Sequence, residues 1–383
     1  MSLRALTARQ VVALLLPKRE ELGISRLSSL GPFVALDVHV VQAVRVALVR
    51  GQVSATTGKG WSLGQALCGA LGEALERYCA ANLQTLDRQD CGHLDIAPLA
   101  GWGHPDGFVP SEVCTARELL GGKPCLLPAI DVHFPYHGGD LARTPVRPHT
   151  SGLASGATWE EAALFGMFEV IERYSSSRFF KRFHSECTGA LIDASTIRHP
   201  QICDALDSLR YRGYELFIFR INGIIPVYYV AILDAANLGP KFMVAGVAAH
   251  IDEAEALQGA LLEAMQGIVV AAQGAREDLS RIASSYKTQG LGRDNPFYRI
   301  QKILEELNPS YAFSDASVTM SYRNSGDALR YILERMSGAG MTTAYCCDLS
   351  RADWPLHVVK IIVPSMFDSH VNPSRRNYAT AAA

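Results

Sequence analysis

Residues 60–77 read GWSLGQALCGALGEALER, and two later stretches follow them in register without a gap: GATWEEAALFGMFEVIER at 156–173 and HIDEAEALQGALLEAMQG at 250–267. The alignment puts Ser62, Thr158 and Asp252 in one register, then Gln65, Glu161 and Glu255, then Ala66, Ala162 and Ala256. Ser, Thr and Asp are good N-cap residues, and a Gln or Glu three positions on is the reciprocal partner of a capping box. The pattern predicts three helices that start in the same register. Each then presents two Glu or Gln side chains three residues apart on one face: Glu73 with Glu76, Glu169 with Glu172, and Glu263 with Gln266.

A lone E-x-x-E is ordinarily a solvated helix face, since exposed glutamate is a strong helix former. These three are set among apolar residues: Leu71 and Leu75, Phe168 and Ile171, Leu262 and Met265. Carboxylates buried there need a compensating cation. Magnesium fits, because it takes hard oxygen ligands and binds through a few carboxylates plus substrate phosphates. Gln266 would offer a neutral oxygen or an amide donor. Arg77 and Arg173 follow two of the pairs and serve equally as phosphate neutralisers or as structural salt-bridge partners. Lys59, in a Gly58-Lys59-Gly60 turn ahead of the first helix, reads either as an exposed loop lysine or as a phosphate contact. The segment is not a Walker A loop, because Gly60 stands where Ser or Thr is required. His250 before the third cap is a polar site residue or a histidine with a structural hydrogen bond.

The bulk composition suits a soluble globular protein. The chain has 383 residues, 48% of them hydrophobic, and a formal net charge of -2, enough for a large core. The apolar run at residues 11–16 is too short for a membrane span or a signal sequence, so a cytoplasmic location is expected. Nine cysteines without C-x-x-C spacing point to buried free thiols. Basic residues are scattered with no aromatic interleaving, so no nucleic-acid or membrane partner is expected.

Along the chain, residues 7–22 predict a helix interrupted at Pro17. Residues 38–49, rich in valine, predict a buried strand feeding the glycine turn. A strand is expected at 128–134, and a hairpin from 216–219 and 227–233 around Asn222-Gly223. Further strands are expected at 243–248, 343–347 and 357–363, and helices at 295–307 and 327–336. Each acidic helix thus follows a strand and a small-residue turn, which argues for sheets covered by helices. The intervals between the three first glutamates are too long for a solenoid period. One interlocked domain, residues 1–370, is expected, with a loose tail over 371–383.

As a set, GKG…ALGEALER, SGLASGAT…EVIERY and AAHIDEAEAL…LLEAMQ resemble the YcaO family of enzymes, which use ATP to activate a peptide backbone amide. The segment GISR…VVQAVR at 23–45 resembles the N-terminal part of stand-alone members that work with TfuA-type partners, and AREDL at 275–279 and HVVKIIVP at 357–364 fit as well. The resemblance implies an α+β fold of mixed or antiparallel sheets covered by helices, with ATP bound among the three acidic helices. It makes Glu73, Glu76, Glu169 and Glu172 magnesium ligands, Glu161 a nucleotide contact and Arg173 a phosphate contact. Glu263 and Gln266 complete the third side, and Thr7, Arg9 and Arg26 correspond to N-terminal nucleotide contacts; Lys59 and Arg77 stay beside these as the phosphate contacts that the residues themselves offer.

Three departures bear on the reaction. Ala157 stands where the family usually has Asn. Ile268 stands where an arginine often occurs, leaving Arg276 as the nearest candidate. No P-x-P-x-P tail follows Pro364, which leaves thioamide or macroamidine formation open beside azoline formation. The implied substrate is a ribosomally made precursor peptide or a protein, met with a separate partner, TfuA-like or a leader-binding E1-like protein, by a homodimer. A protein that keeps the fold as a non-catalytic docking subunit is the competing expectation.

Overall fold

A computed structural model describes residues 3–31, 36–46, 53–87, 94–99, 102–183, 189–234, 243–273, 311–313 and 322–366. In chain order its elements are α1 (Ala8–Leu15), β1 (Ile24–Ser29), β2 (His39–Val46), β3 (Val53–Gly60), α2 (Leu63–Ala81), β4 (Leu86–Asp87), β5 (Glu112–Glu118), β6 (Pro124–Pro128), α3 (Ala129–Val132), β7 (Leu153–Gly156) and α4 (Trp159–Phe183). There follow β8 (Gly189–Asp193), α5 (Pro200–Tyr211), β9 (Tyr214–Ile221), β10 (Val227–Asp234), β11 (Met243–Ala249), α6 (Glu253–Ala272), β12 (Tyr311–Ala312), α7 (Ser325–Gly338), β13 (Tyr345–Asp348) and β14 (His357–Ile362).

The strands form three sheets, and each acidic helix lies on one of them. The first is the antiparallel meander β1-β2-β3, covered by α2. The second runs β4-β5-β13-β14-β7 with β6 on β5, and α4 packs on β7 and β14. The third runs β11-β10-β9-β8-β12, antiparallel but for the β8–β12 pair, with α6 on β11 and β10. This is the expected α+β architecture. The apolar faces close three cores, led by Leu71 and Leu75 under α2, Met167 and Ile171 under α4, and Leu261 and Met265 under α6.

In each unit a strand leads straight into its helix, so the helix folds back on the strand that delivered it. The approach is close enough to require glycine. A Cβ at Gly58 would lie 1.9 Å from the Ala66 carbonyl oxygen, and one at Gly246 would lie 2.1 Å from that of Ala260. Both distances are far inside contact, so only a bare α-carbon lets strand and helix meet.

Several expectations change. Gly58, Lys59 and Gly60 are not a turn; they end strand β3, which pairs with β2 from His39↔Gly60 to Val46↔Val53. Their glycines serve close packing, which composition alone does not distinguish from turning. The strand expected at 128–134 is the end of β6 followed by α3, and the first helix stops at Leu15 before a 3-10 turn that carries Pro17. The hairpin around Asn222-Gly223 and the strands β11, β13 and β14 stand where expected. The helix expected at 295–307 and the tail at 371–383 lie outside the described residues. Among the described residues no helix is long and apolar enough to cross a membrane. The seven described cysteines are free thiols, five of them buried.

Candidate active site

The three caps form as the register predicts. Ser62 Oγ accepts from the Gln65 N–H at 3.2 Å, Thr158 Oγ1 from the Glu161 N–H at 3.1 Å, and Asp252 Oδ1 from the Glu255 N–H at 3.0 Å. The reciprocal half of the box closes at the first helix, where Gln65 Oε1 accepts from the Ser62 N–H at 3.1 Å. Glu161 is diverted instead to the N-terminal segment: it accepts from Arg4 at 2.9 Å and from the Ala5 N–H at 3.0 Å, and it is almost wholly buried.

Beyond the caps, the acidic side chains of one unit reach the backbone of the same or the next. Glu73 accepts from the Thr57 N–H of β3 at 3.1 Å and pairs with Arg77 at 3.0 Å. Glu169 repeats that arrangement in the second unit, accepting from the Gly152 N–H at 3.0 Å, with Arg173 at 3.6 Å. Glu76 crosses from α2 to β7, where the Ser155 N–H and hydroxyl donate to it at 2.8 and 2.7 Å. Lys59 crosses from β3 to α6 and meets Glu263 at 3.1 Å. The three units are therefore joined at the ends of their acidic pairs.

The electrostatics report the same convergence. Burial, the hydrogen bonds from Ser155 notwithstanding, pushes the Glu76 carboxyl up to about 7, and the charges of Glu73 and Glu169 add to the rise. Glu172 is raised well above the ordinary carboxylate range by burial and then by Glu263 on the third helix, against the pull of Arg173 and Lys59. Glu169 is raised by burial and is held back by Arg173 and by Lys360, a fully buried lysine of β14 that donates to the His149 carbonyl at 2.7 Å.

Other expected residues fall differently. Gln266 is half-buried on α6 beside Glu263. Thr7 caps α1 through Gln10, and Arg9 and Arg26 are exposed, making no described contact with the acidic pairs. Arg276 lies outside the described residues. His250 takes the structural role: its Nδ1 accepts from the Asp252 N–H at 3.0 Å, and burial pushes its pKa down to about 4. Ile268 points into the third core. Sequence reasoning missed Arg4, Ser155 and Lys360. A lysine inside the apolar run of β14 was the one signal available.

Residues 57–367 match the family model described as YcaO cyclodehydratase, ATP- and Mg2+-binding. The chain belongs to the YcaO family. An uncharacterised protein of Methanothermobacter thermautotrophicus is 29% identical over 94% of this YcaO chain and 93% of its own. An uncharacterised protein encoded in the tfuA 3' region of Rhizobium leguminosarum bv. trifolii is 24% identical over 95% and 88%. The fold matches that of YcaO from Methanopyrus kandleri, solved with AMPPCP and Mg2+, at a TM-score of 0.74 and 20% identity over 97% of this chain and 94% of that one.

ATP and Mg2+ are the cofactors of this family, and the donor set suits them. The acidic pairs offer hard oxygen atoms, with Lys59, Arg77 and Arg173 beside them. Among the described residues no three carboxylate, imidazole or thiol groups gather as the ligands of one ion. Magnesium needs no such cluster, since it shares its coordination between a carboxylate or two and phosphate oxygens.

Proposed function

We infer that this YcaO protein uses ATP and Mg2+ to activate a peptide backbone amide by O-phosphorylation during maturation of a ribosomally made peptide. The observation that carries the reading is the meeting of Glu73 and Glu76, Glu169 and Glu172, and Glu263 with Lys59 at the junction of three capped helices. Phosphoryl transfer asks for positioning and charge neutralisation more than for a covalent nucleophile on the enzyme. Magnesium, when bound, neutralises and orients the phosphates. Glu73, Glu76, Glu169 and Glu172 would hold it; Lys59, Arg77, Arg173, Glu263 and Gln266 would surround the nucleotide.

In the reaction we assign, a nucleophile adds to the amide carbon, and the former amide oxygen attacks the γ-phosphorus and displaces ADP. Phosphate then leaves with that oxygen. An internal Cys, Ser or Thr nucleophile yields an azoline, a sulfide yields a thioamide and an amine yields an amidine. The working unit in this proposal is a single domain over residues 1–370, cytoplasmic and homodimeric. The tfuA-region relative supports a TfuA-like partner, with a leader-binding protein as the alternative.

Glu73→Ala and Glu172→Ala are expected to abolish ATP consumption while circular dichroism shows a retained fold; full activity in either variant would refute the assignment. Mass spectrometry of a treated peptide separates the chemistries, through loss of water for an azoline or macroamidine and exchange of oxygen for sulfur for a thioamide. A second reading, a docking subunit without turnover, is favoured by Ala157, whose methyl packs against the first core and offers no polar group. It predicts no ATP binding by calorimetry with magnesium present.

A further inference from the structure

Helix α4 carries Glu169 and Arg173 on one side, and a different side of the same helix lines a cavity of about 490 Å³. Ile171, Ser175 and Arg178 follow one another there at helical spacing. The β9–β10 hairpin supplies Ile221 and its turn, Asn222-Gly223, while the end of α7 supplies Arg335. No sequence motif pointed to this place, and none of the residues assigned to the nucleotide lines it.

Its floor and rim differ in chemistry. Ile171, Phe179 and Ile221 form a buried apolar floor. Set into it is Ser175, 4% exposed, whose hydroxyl makes no hydrogen bond with any described residue although it faces the hairpin turn: a Cβ on Gly223 would lie 3.4 Å from it. That hydroxyl can donate to or accept from a ligand in the cavity. At the rim stand two exposed guanidinium groups. Arg178 lies over the Tyr174 ring and donates to its hydroxyl at 2.6 Å; Arg335 lies near the Tyr331 ring and donates through Nε to the Ile224 carbonyl at 2.6 Å. Each is thereby steadied with N–H groups to spare, and neither has a carboxylate partner among the described residues.

We propose that this cavity binds a polypeptide segment that sets a carboxylate beside an apolar side chain. The volume is in the range of pockets that enclose a ligand, and three apolar residues below two guanidiniums match an apolar side chain below a carboxylate. The forked guanidinium geometry recognises carboxylate oxygens in pairs. Asn222 and the open backbone of the hairpin turn lie where a peptide backbone would pass. The carboxylate could belong to an internal Asp or Glu or to a chain terminus, and the two are separable.

The test uses the full chain without nucleotide, so its outcome is independent of the ATP assignment. Two fluorescein-labelled hexapeptides serve as probes, one with blocked ends around Leu-Asp-Leu and one ending in Leu with a free carboxylate. Their Asn and amidated counterparts are the controls. Fluorescence polarisation is expected to show binding of at least one acidic probe and a loss of about tenfold or more in its control and in R178E and R335E, the loss of a charge-assisted contact. Binding by the first probe names an internal acidic residue, and by the second a chain terminus. The double variant R178E/R335E is expected to accept a Leu-Lys-Leu probe instead. Both arginines are exposed, so these variants should keep the fold, and S175L, which fills the floor, gives a check that leaves the charges alone and should also abolish binding. No binding of either probe, or binding indifferent to R178E, R335E and S175L, overturns the proposal.

Discussion

Lys59 and Ser155 each carry a hydrogen bond from one unit to another, and they make different predictions. Lys59 and Glu263 are partly exposed, so their pair contributes at most about 1 kcal/mol to stability. Lys59→Met should therefore shift the denaturation midpoint little. If Lys59 turns from Glu263 to a phosphate, the same variant should raise the KM for ATP by about tenfold, the value of one charge-assisted contact; an unchanged KM would remove it from the nucleotide site. Ser155→Ala leaves the backbone donor to Glu76 and deletes the hydroxyl one at 2.7 Å. A hydrogen bond to a charged group is worth about 1.5–3 kcal/mol, so urea denaturation at a pH above the value of about 7 to which Glu76 is raised should show a loss near the lower figure. The acidic pairs were legible in the sequence because register and apolar neighbours point the same way. Arg4 was not: an arginine near the chain start has no local pattern, and only its long-range contact with Glu161 gives it meaning.

At the scale of elements, strand and helix are joined by missing side chains. Gly246→Ala would put a methyl 2.1 Å from the Ala260 carbonyl oxygen and 2.4 Å from the Ala264 nitrogen. Overpacking of this kind costs about 1–3 kcal/mol or more, and the thermal midpoint should fall accordingly, with α6 displaced from β11. Gly64→Ala in the first turn of α2 is the control, because the nearest atom to the added carbon is Ser62 Oγ at 3.9 Å. There the better helix former should raise stability by up to about 1 kcal/mol. The contrast explains what the sequence conveyed about elements. Helices marked by caps and period were found, as were strands marked by β-branched runs. The glycines of β3 were misread as a turn, since glycine looks alike whether it bends a chain or lets another pass close by. Proline and a short apolar run likewise made α3 look like a continued strand.

At the scale of the molecule, the reading we propose has three sheets each lend a helix to one site, where bound magnesium and nucleotide would tie the helices together. A non-hydrolysable ATP analogue with Mg2+ should raise the thermal midpoint, since a ligand at a hundred times its Kd adds about 2.7 kcal/mol. EDTA should reverse the gain, and analogue without metal should give little. The contacts that knit the site are long in sequence: Lys59 and Glu263 are 204 residues apart, Glu76 and Ser155 are 79 apart. A ribosome must therefore have delivered two thirds of the chain before the last acidic helix exists. No product that stops before α6 owns a full set of these groups, and a chain cut between the second and third units would yield two inert halves whose competence, if it returned at all, would return only when both were mixed.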